Sequence, residues 1–380
     1  MSISVRNTGK DKVKIDEVIK AIEPVDAGYF AKAQARLDTL TKPKGSLGRL
    51  EEIAARIVAI SKNLKPSVKN KVIFTMAGDH GVCDEGVSAY PQEVTPQMVY
   101  NFLRGGAGIN VLARNAGAEV IVVDMGVKEK IKADNARNFK DKKVAFGTKN
   151  FAKEPAMTRE EALKSVLSGI EVFNESYAEQ KIELVGVGDM GIGNTTPSSA
   201  IIAAVTGEDV ARVTGRGTGI NDATYARKID AIKKGLSLHK PDPKDPIDVL
   251  SKVGGFEIGG IAGVILAAAS KKVPVVVDGL ISSCGALLAF EMCPAVKDYI
   301  FFAHQSVEAG QLAILRRVGH RPLLNLDMRL GEGTGAALAM GIIDAAVKIL
   351  NEMATFGEAG VSEENDPLDH TLGNGKRSEP

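Results

Sequence analysis

Three loops of this sequence hold a lone carboxylate among glycines, a pattern suited to moving a proton on or off a bound molecule. Arg329-Leu330-Gly331-Glu332-Gly333-Thr334-Gly335 carries Glu332, Val275-Val276-Val277-Asp278-Gly279 carries Asp278, and Gly186-Val187-Gly188-Asp189-Met190-Gly191-Ile192-Gly193-Asn194-Thr195-Thr196 carries Asp189. Glu332 has two readings. It is either the acidic partner of a helix N-terminus or a carboxylate that its bulk-free neighbours expose to a ligand, and the residues alone leave both open. Gly186-x-Gly188-x-x-Gly191 matches the dinucleotide fingerprint in form. However, its loop runs on to Pro197 and no acidic strand end follows about 20 residues later, where a ribose partner belongs. Asn194, Thr195 and Thr196 at a helix start still suit a phosphate or carboxylate. Gly215-Arg216-Gly217-Thr218-Gly219, with Lys228 shortly after, is a second anion-friendly turn. Asp278 lacks the adjacent second acid of a diphosphate-binding motif, which gives metal-assisted diphosphate departure no support. An Asp-His pair, Asp79-His80, is flanked by Gly78 and Gly81 and is more often structural than substrate-binding.

These loops need a scaffold that gathers them. β-branched runs at 72–75, 120–123, 182–185, 273–277, 299–302 and 323–326 predict strands, each followed by a loop. Between them helical spacing predicts helices over 96–116, 159–177, 198–213, 222–236, 258–270 and 282–292, with Thr158 and Glu161 as a capping box. Near-continuous apolar strands alternating with helices predict an α/β fold: a Rossmann-like parallel sheet with helices on both faces. Ligands of such sheets bind at the carboxyl ends of the strands, where the loops above lie. Residues 1–65 read as helices, and 334–353 as one long helix that returns to them, forming a small helical domain from both chain ends. The expected divisions are therefore 1–65, a large substrate-binding α/β domain over 66–330, the returning helix within 331–361, and a polar tail over 362–380 expected to be disordered. The charged stretch 128–153 reads as a surface excursion.

Composition narrows the function classes. The 380 residues carry 48 Lys plus Arg against 47 Asp plus Glu, a formal charge of +1, and only 5% aromatics with no Trp. That balance leaves no footprint for nucleic acid and few stacking platforms for single strands. The 40 glycines exceed the usual share of about 7% and point to many close backbone approaches. The sequence shows neither a signal-peptide pattern nor an apolar run long enough to span a bilayer, so a cytoplasmic protein without a membrane partner is expected. The three cysteines form no pair and the five histidines have no metal-ligand spacing, so neither metal nor cofactor is expected.

Taken in order, Thr41-Lys42-Pro43-Lys44-Gly45-Ser46-Leu47-Gly48-Arg49-Leu50, the 77–90 loop, Met190-Gly191-Ile192-Gly193-Asn194-Thr195-Thr196 and Arg329-Leu330-Gly331-Glu332-Gly333-Thr334-Gly335 form a specific set. From Leu40 to Val361 the chain resembles the nicotinate-nucleotide:dimethylbenzimidazole phosphoribosyltransferase family of cobalamin lower-ligand assembly. The resemblance implies a homodimer that transfers phosphoribose from nicotinate mononucleotide to 5,6-dimethylbenzimidazole with inversion, releasing nicotinate. It implies Glu332 as the base, with Asp278 and Asp189 as further active-site acids; the family commonly has Glu where Asp189 stands. It places Gly191, Gly193, Asn194, Gly217, Lys228 and Ser306 at the phosphate and ribose, and Ser88, Tyr90, Gln97 and Leu330 at the acceptor base. A relative using adenine or a phenol as acceptor is the alternative, an NAD-binding oxidoreductase a more distant one, and a non-catalytic nucleotide sensor is disfavoured by the presence of Glu332.

Overall fold

Six runs of β-branched and apolar residues pair side by side in parallel as one sheet: β1 (Lys71–Gly78), β2 (Ala118–Gly126), β3 (Phe139–Asp141), β4 (Leu184–Met190), β5 (Val275–Val277) and β6 (Ile300–Phe302). Their order is β3-β2-β1-β4-β5-β6, the doubly wound Rossmann order. The chain reverses direction of growth between β1 and β4, so the crevice at the carboxyl ends of those two strands is the expected ligand site. The computed structural model describes residues 2–133, 136–217 and 219–362. The expected tail beyond Ser362, like Thr218, lies outside the described residues.

Alternation along β1 shows why both faces are covered. Ile73 and Thr75 point toward the segment that opens the helix Thr334–Glu352, where the Thr75 hydroxyl donates to the Glu332 carbonyl at 2.9 Å. Phe74 points the other way, its ring 6.5 Å from that of Phe173 on the helix Arg159–Gln180. The helix Phe256–Ser270 packs on the Arg159–Gln180 helix and on β1, β2 and β4. Thr334–Glu352 is the one described helix long and apolar enough to cross a membrane, yet 56% of its most apolar window is buried inside the protein, as in a core helix.

The chain divides into two compact units, residues 1–25 with 67–344, and 26–66 with 345 onward. Residues 1–25, expected with the small helical domain, group instead with the sheet. The helix Ser2–Lys20 packs on the 159–180 and 256–270 helices, and the Tyr299 hydroxyl donates to the Glu23 carbonyl at 2.7 Å. The second unit holds the helices Ala27–Asp38 and Arg49–Ser61, and the Arg36 guanidinium fastens the first of them to the Met353 carbonyl at 3.1 Å.

Four local expectations change. The helix expected over 198–213 ends at Thr206, where Gly207 turns left-handed at φ 72°, and resumes only over Val210–Val213. The 96–116 helix is broken into Val94–Arg104 and Gly108–Ala116, because Gly105 turns left-handed at φ 79°. The charged excursion contains the short edge strand β3, paired through Val122 and Phe139 and blunted by Lys140 and Asp141. The strand expected over 323–326 reduces to a single bridge between His304 and Leu324 just past the end of β6. Pro322, which has no amide hydrogen, precedes it.

Candidate functional site

The loop after β6 and its bridge runs 327–333 into the helix Thr334–Glu352, and at its end three successive residues are left-handed: Gly331 at φ 82°, Glu332 at 64° and Gly333 at 97°. For a side-chain residue that conformation costs on the order of 1–3 kcal/mol and persists only where its surroundings impose it. They do so from three sides. Thr75 of β1 bonds the Glu332 carbonyl, the Glu332 amide donates to the Asp189 carbonyl at 3.1 Å, and the Gly333 amide donates to Asp278 Oδ2 at 2.9 Å. A Cβ at Gly188 would overlap the Glu332 carbonyl and the Gly333 amide, and one at Gly191 would overlap the Gly78 carbonyl. These glycines of the apparent dinucleotide fingerprint therefore serve close packing of backbone on backbone.

Both readings of Glu332 are partly right, for different helices. Its Oε2 accepts the Ile109 amide at 3.1 Å, at the first turn of the helix Gly108–Ala116. The helix that follows it in sequence is capped instead by Asp278, whose Oδ1 accepts the Gly335 and Ala336 amides at 2.7 and 3.2 Å. His304 Nε2 lies 3.6 Å from the same oxygen. Asp278 is fully buried and Glu332 and Asp189 nearly so.

Three buried carboxyls at close quarters resist full ionisation. Burial raises Glu332 above its ordinary value; the Ile109 amide opposes this and the charge of Asp278 adds to it. Asp278 is likewise raised by burial, against His304 and the three amides. Asp189 is pushed furthest, by burial and then by Asp278, although the Asn194 side-chain amide donates to its Oδ2 at 2.9 Å. Its Oδ1 has no hydrogen-bond partner among the described residues.

Across from these acids lies a cationic corner. Lys228, on the helix Asp222–His239, is buried and donates to Thr195 Oγ1 at 2.7 Å and to the Gly215 carbonyl at 3.1 Å. Thr195 opens the helix Thr195–Thr206, whose N-terminus adds a partial positive charge. Burial pulls the Lys228 ammonium down to about 8, with the charge of Glu308 opposing. Ser306 lies just past β6, its amide held by Gln311 Oε1 at 2.7 Å and its hydroxyl accepting the Glu308 amide at 3.3 Å.

One open cleft joins these groups. Asp189, Gly191, Asn194, Gly217, Ser306 and Leu330 of the expected residues line it. Lys228 adjoins it through Thr195 and Gly217, both of which line it, and Glu332 and Asp278 through Gly331 and His304. Leu330 is 59% exposed and packs at the start of the Gly108–Ala116 helix, beside the Glu332 carboxylate. Gly193 does not line the cleft; it is left-handed at φ 86° and packs on the Cys83 sulfur. Ser88, Tyr90 and Gln97 also stay outside it. The Ser88 hydroxyl accepts the Tyr90 amide at 3.2 Å, while Tyr90 and Gln97 are exposed. Their segment nonetheless reaches the site, because Thr95 Oγ1 accepts the Ile192 amide at 3.1 Å. Asp79 and His80 are buried behind it, with His80 Nε2 2.9 Å from Glu257 Oε1.

Two polar cleft residues, His304 and Glu308, carried no signal in the sequence motifs, nor did the apolar Leu280 and Ile281. His304 and Glu308 both follow β6, and the rule that ligands meet strand carboxyl ends could have singled them out. Among the described residues no group of three or more His, Cys, Asp or Glu side chains is arranged to hold a metal ion.

The chain resembles known proteins over nearly its whole length. A phosphoribosyltransferase family model matches residues 22–361. A Geobacter sulfurreducens protein named nicotinate-nucleotide–dimethylbenzimidazole phosphoribosyltransferase is 62% identical over 349 residues, 92% of this chain and 98% of that one. Its namesake from Geobacter metallireducens is 60% identical over 352 residues, 93% and 99% of the two chains. The crystal structure of CobT from Thermus thermophilus superposes with a TM-score of 0.84 at 45% identity, covering 89% of this chain and all of that one.

Proposed function

The chain belongs to the nicotinate-nucleotide–dimethylbenzimidazole phosphoribosyltransferase family, and on that premise we propose how its residues divide the reaction. The enzyme transfers the phosphoribosyl group of nicotinate mononucleotide to 5,6-dimethylbenzimidazole and releases nicotinate. The observation that carries our assignment is Glu332: a buried carboxylate held in a left-handed turn at the edge of the cleft. One nitrogen of the acceptor attacks C1′ from the face opposite nicotinate. The C1′–N bond breaks with its electron pair returning to the pyridinium nitrogen, so the leaving group needs no proton. Glu332 takes the proton from the second acceptor nitrogen, and burial has already made this carboxylate more basic than usual. Attack opposite the leaving group inverts C1′ and gives α-ribazole 5′-phosphate.

Asp278 holds the turn and the helix start that present Glu332. Asp189, the group most disposed to carry a proton, lines the cleft with an oxygen that has no partner among the described residues, and we assign it to the ribose. Gly191, Asn194, Gly217, Ser306 and Lys228 receive the phosphate and ribose, with Gly193 shaping their loop. Leu330 forms one wall for the acceptor; Ser88, Tyr90 and Gln97 form the other once the base is bound. The α/β unit carries both substrates. We further propose a cytoplasmic homodimer, checked by light scattering of the purified protein and by cell fractionation.

Nicotinate release measured with a panel of acceptors tests the reading. It should depend on dimethylbenzimidazole and persist in EDTA; stronger turnover with adenine or a phenol would redirect the acceptor assignment. Lys228→Ala is expected to weaken nucleotide affinity by roughly 1.5–3 kcal/mol, as for a hydrogen bond to a charged group, and Ser306→Ala by about 1 kcal/mol. Acceptor affinity should be spared in both. Calorimetry giving parental nucleotide affinity for Lys228→Ala would make it a structural brace of the Gly215 turn and remove it from the substrate site.

A further inference from the structure

Glu308 sits where a phosphate-binding corner should least tolerate a carboxylate. It is 6% exposed and lines the same cleft as Asp189 and Asn194. Its Oε1 accepts the Gly217 amide at 2.8 Å, while its buried Oε2 has no hydrogen-bond partner among the described residues. The turn it touches is built to receive it, since a Cβ at Gly215 would overlap the carboxylate. The same turn is gripped from its other side by Lys228, through the Gly215 carbonyl. Cation and carboxylate thus clasp Gly215–Gly217 between them. Of the charges on the neighbouring turn and helix, Arg216 pairs with Asp222, and Arg227 bonds Thr224 Oγ1 and the Gly86 carbonyl, while Asp189, His304 and Arg329 line the same cleft. Thr195, the remaining side chain on the Lys228 ammonium, is neutral.

We propose that Glu308 is a positioning residue for nucleotide binding, bracing the Gly217 amide and supplying the counter-charge that keeps Lys228 cationic. This rests on the reading that Lys228 meets the substrate phosphate. The physical need is plain. A lysine stripped of water loses its proton more readily, and Lys228 is already drawn down to about 8 by burial, with Glu308 pulling the other way. Remove that counter-charge, and the ammonium deprotonates at still lower pH, leaving a neutral amine facing a phosphate that carries nearly two negative charges. The cost of a carboxylate near the anion is offset by a lysine that keeps its proton to higher pH and by an ordered loop.

The test is calorimetry of nicotinate mononucleotide binding from pH 6.5 to 9, for the parent, Glu308→Gln and the Glu308→Gln/Lys228→Arg double variant. Nicotinate riboside, which lacks the phosphate, is the control. Glutamine keeps an acceptor for Gly217 and removes only the charge. At pH 8, where the parent lysine is about half protonated, Glu308→Gln should bind roughly five-fold more weakly if the Lys228 pKa falls by one unit, and about 10-fold more weakly for each further unit. For a fall of about one unit the gap should close to within about two-fold at pH 6.5, where Lys228 is mostly protonated in both. Riboside affinity should not change, and arginine, which stays charged, should abolish the pH-dependent loss. A deficit of equal size at every pH would reduce Glu308 to a structural brace. Tighter binding by Glu308→Gln at every pH would make it a simple repulsive neighbour. A nitrogen-15 titration of the Lys228 ammonium needs no substrate: its midpoint must be lower in Glu308→Gln, and an unmoved midpoint overturns the proposal. A lowered midpoint in a protein that fails to bind the nucleotide would instead sink the substrate assignment.

Discussion

Glu332→Gln should slow single-turnover formation of the α-riboside by about 10²–10⁴-fold, the usual contribution of a general base, or roughly 3–5 kcal/mol of barrier. Glutamine keeps the length of the side chain and an oxygen for the Ile109 amide, so nucleotide binding and the melting temperature should stay near those of the parent. The pH profile gives a second readout. Burial and the Asp278 charge raise Glu332, so parental activity should fall as pH drops through a point above the ordinary carboxylate range. Below it the carboxyl is protonated and cannot accept the proton. That acid limb should vanish in Glu332→Gln, leaving a low, flat rate. The same raised pKa makes burial of ionised Glu332 destabilising, so this group adds stability on the acid side and loses it as pH rises through its folded-state value. A variant rate within a few-fold of the parent, with both substrates shown to bind, removes Glu332 from proton transfer and moves the search to Asp189.

Asp278→Ala should do the opposite, costing stability first and activity as a consequence. Its two oxygens accept three backbone amides, those of Gly333, Gly335 and Ala336, in a fully buried place. An unpaired buried amide costs about 1–3 kcal/mol, and the three share one acceptor, so about 3–5 kcal/mol of total loss is expected. Asp278→Asn keeps one acceptor oxygen and should lose roughly half of that. Turnover should drop in both, because the left-handed turn at 331–333 loses one of its three holds. Urea midpoints read alongside activity, at temperatures where each variant is folded, separate the two effects. A midpoint for Asp278→Ala equal to that of the parent would show that the amides find other partners, and the buried acid would then need a purely chemical role.

Much of this arrangement was legible beforehand. Strand periodicity, the capping box at Thr158 and Glu161 and the glycine-rich loops after strands all rest on contacts within a few residues, so spacing reveals them. The parallel sheet with helices on both faces follows from alternation of strand and helix, whereas the strand order came from the structure. Less visible were the breaks. Gly105 ends a helix that apolar spacing alone would continue, because one left-handed residue outweighs a good pattern. β3 is three residues with two charges, and only pairing with β2 makes it a strand. The first helix reads equally well as part of either unit, since its apolar stripe does not name its partner; packing on the 159–180 and 256–270 helices decided that.

At the site the division is sharper. By itself the sequence determined that Glu332, Asp278 and Asp189 would lie in loops free of side-chain bulk, and that Asn194, Gly217 and Lys228 would offer donors to an anion. It also carried the family resemblance that names the substrates. Only the tertiary structure decided which carboxylate serves which helix: Glu332 reaches the Gly108–Ala116 start and Asp278 caps the helix that follows Glu332. It decided that Gly188 and Gly191 make room for backbone instead of a pyrophosphate. It alone brought His304 to Asp278 and Glu308 to Gly217, across separations of 26 and 91 residues that no local pattern spans. The reason is physical: periodicity and loop chemistry act over one or two turns of chain, whereas burial, charge coupling and close backbone approach are set by neighbours that meet only when the sheet is complete.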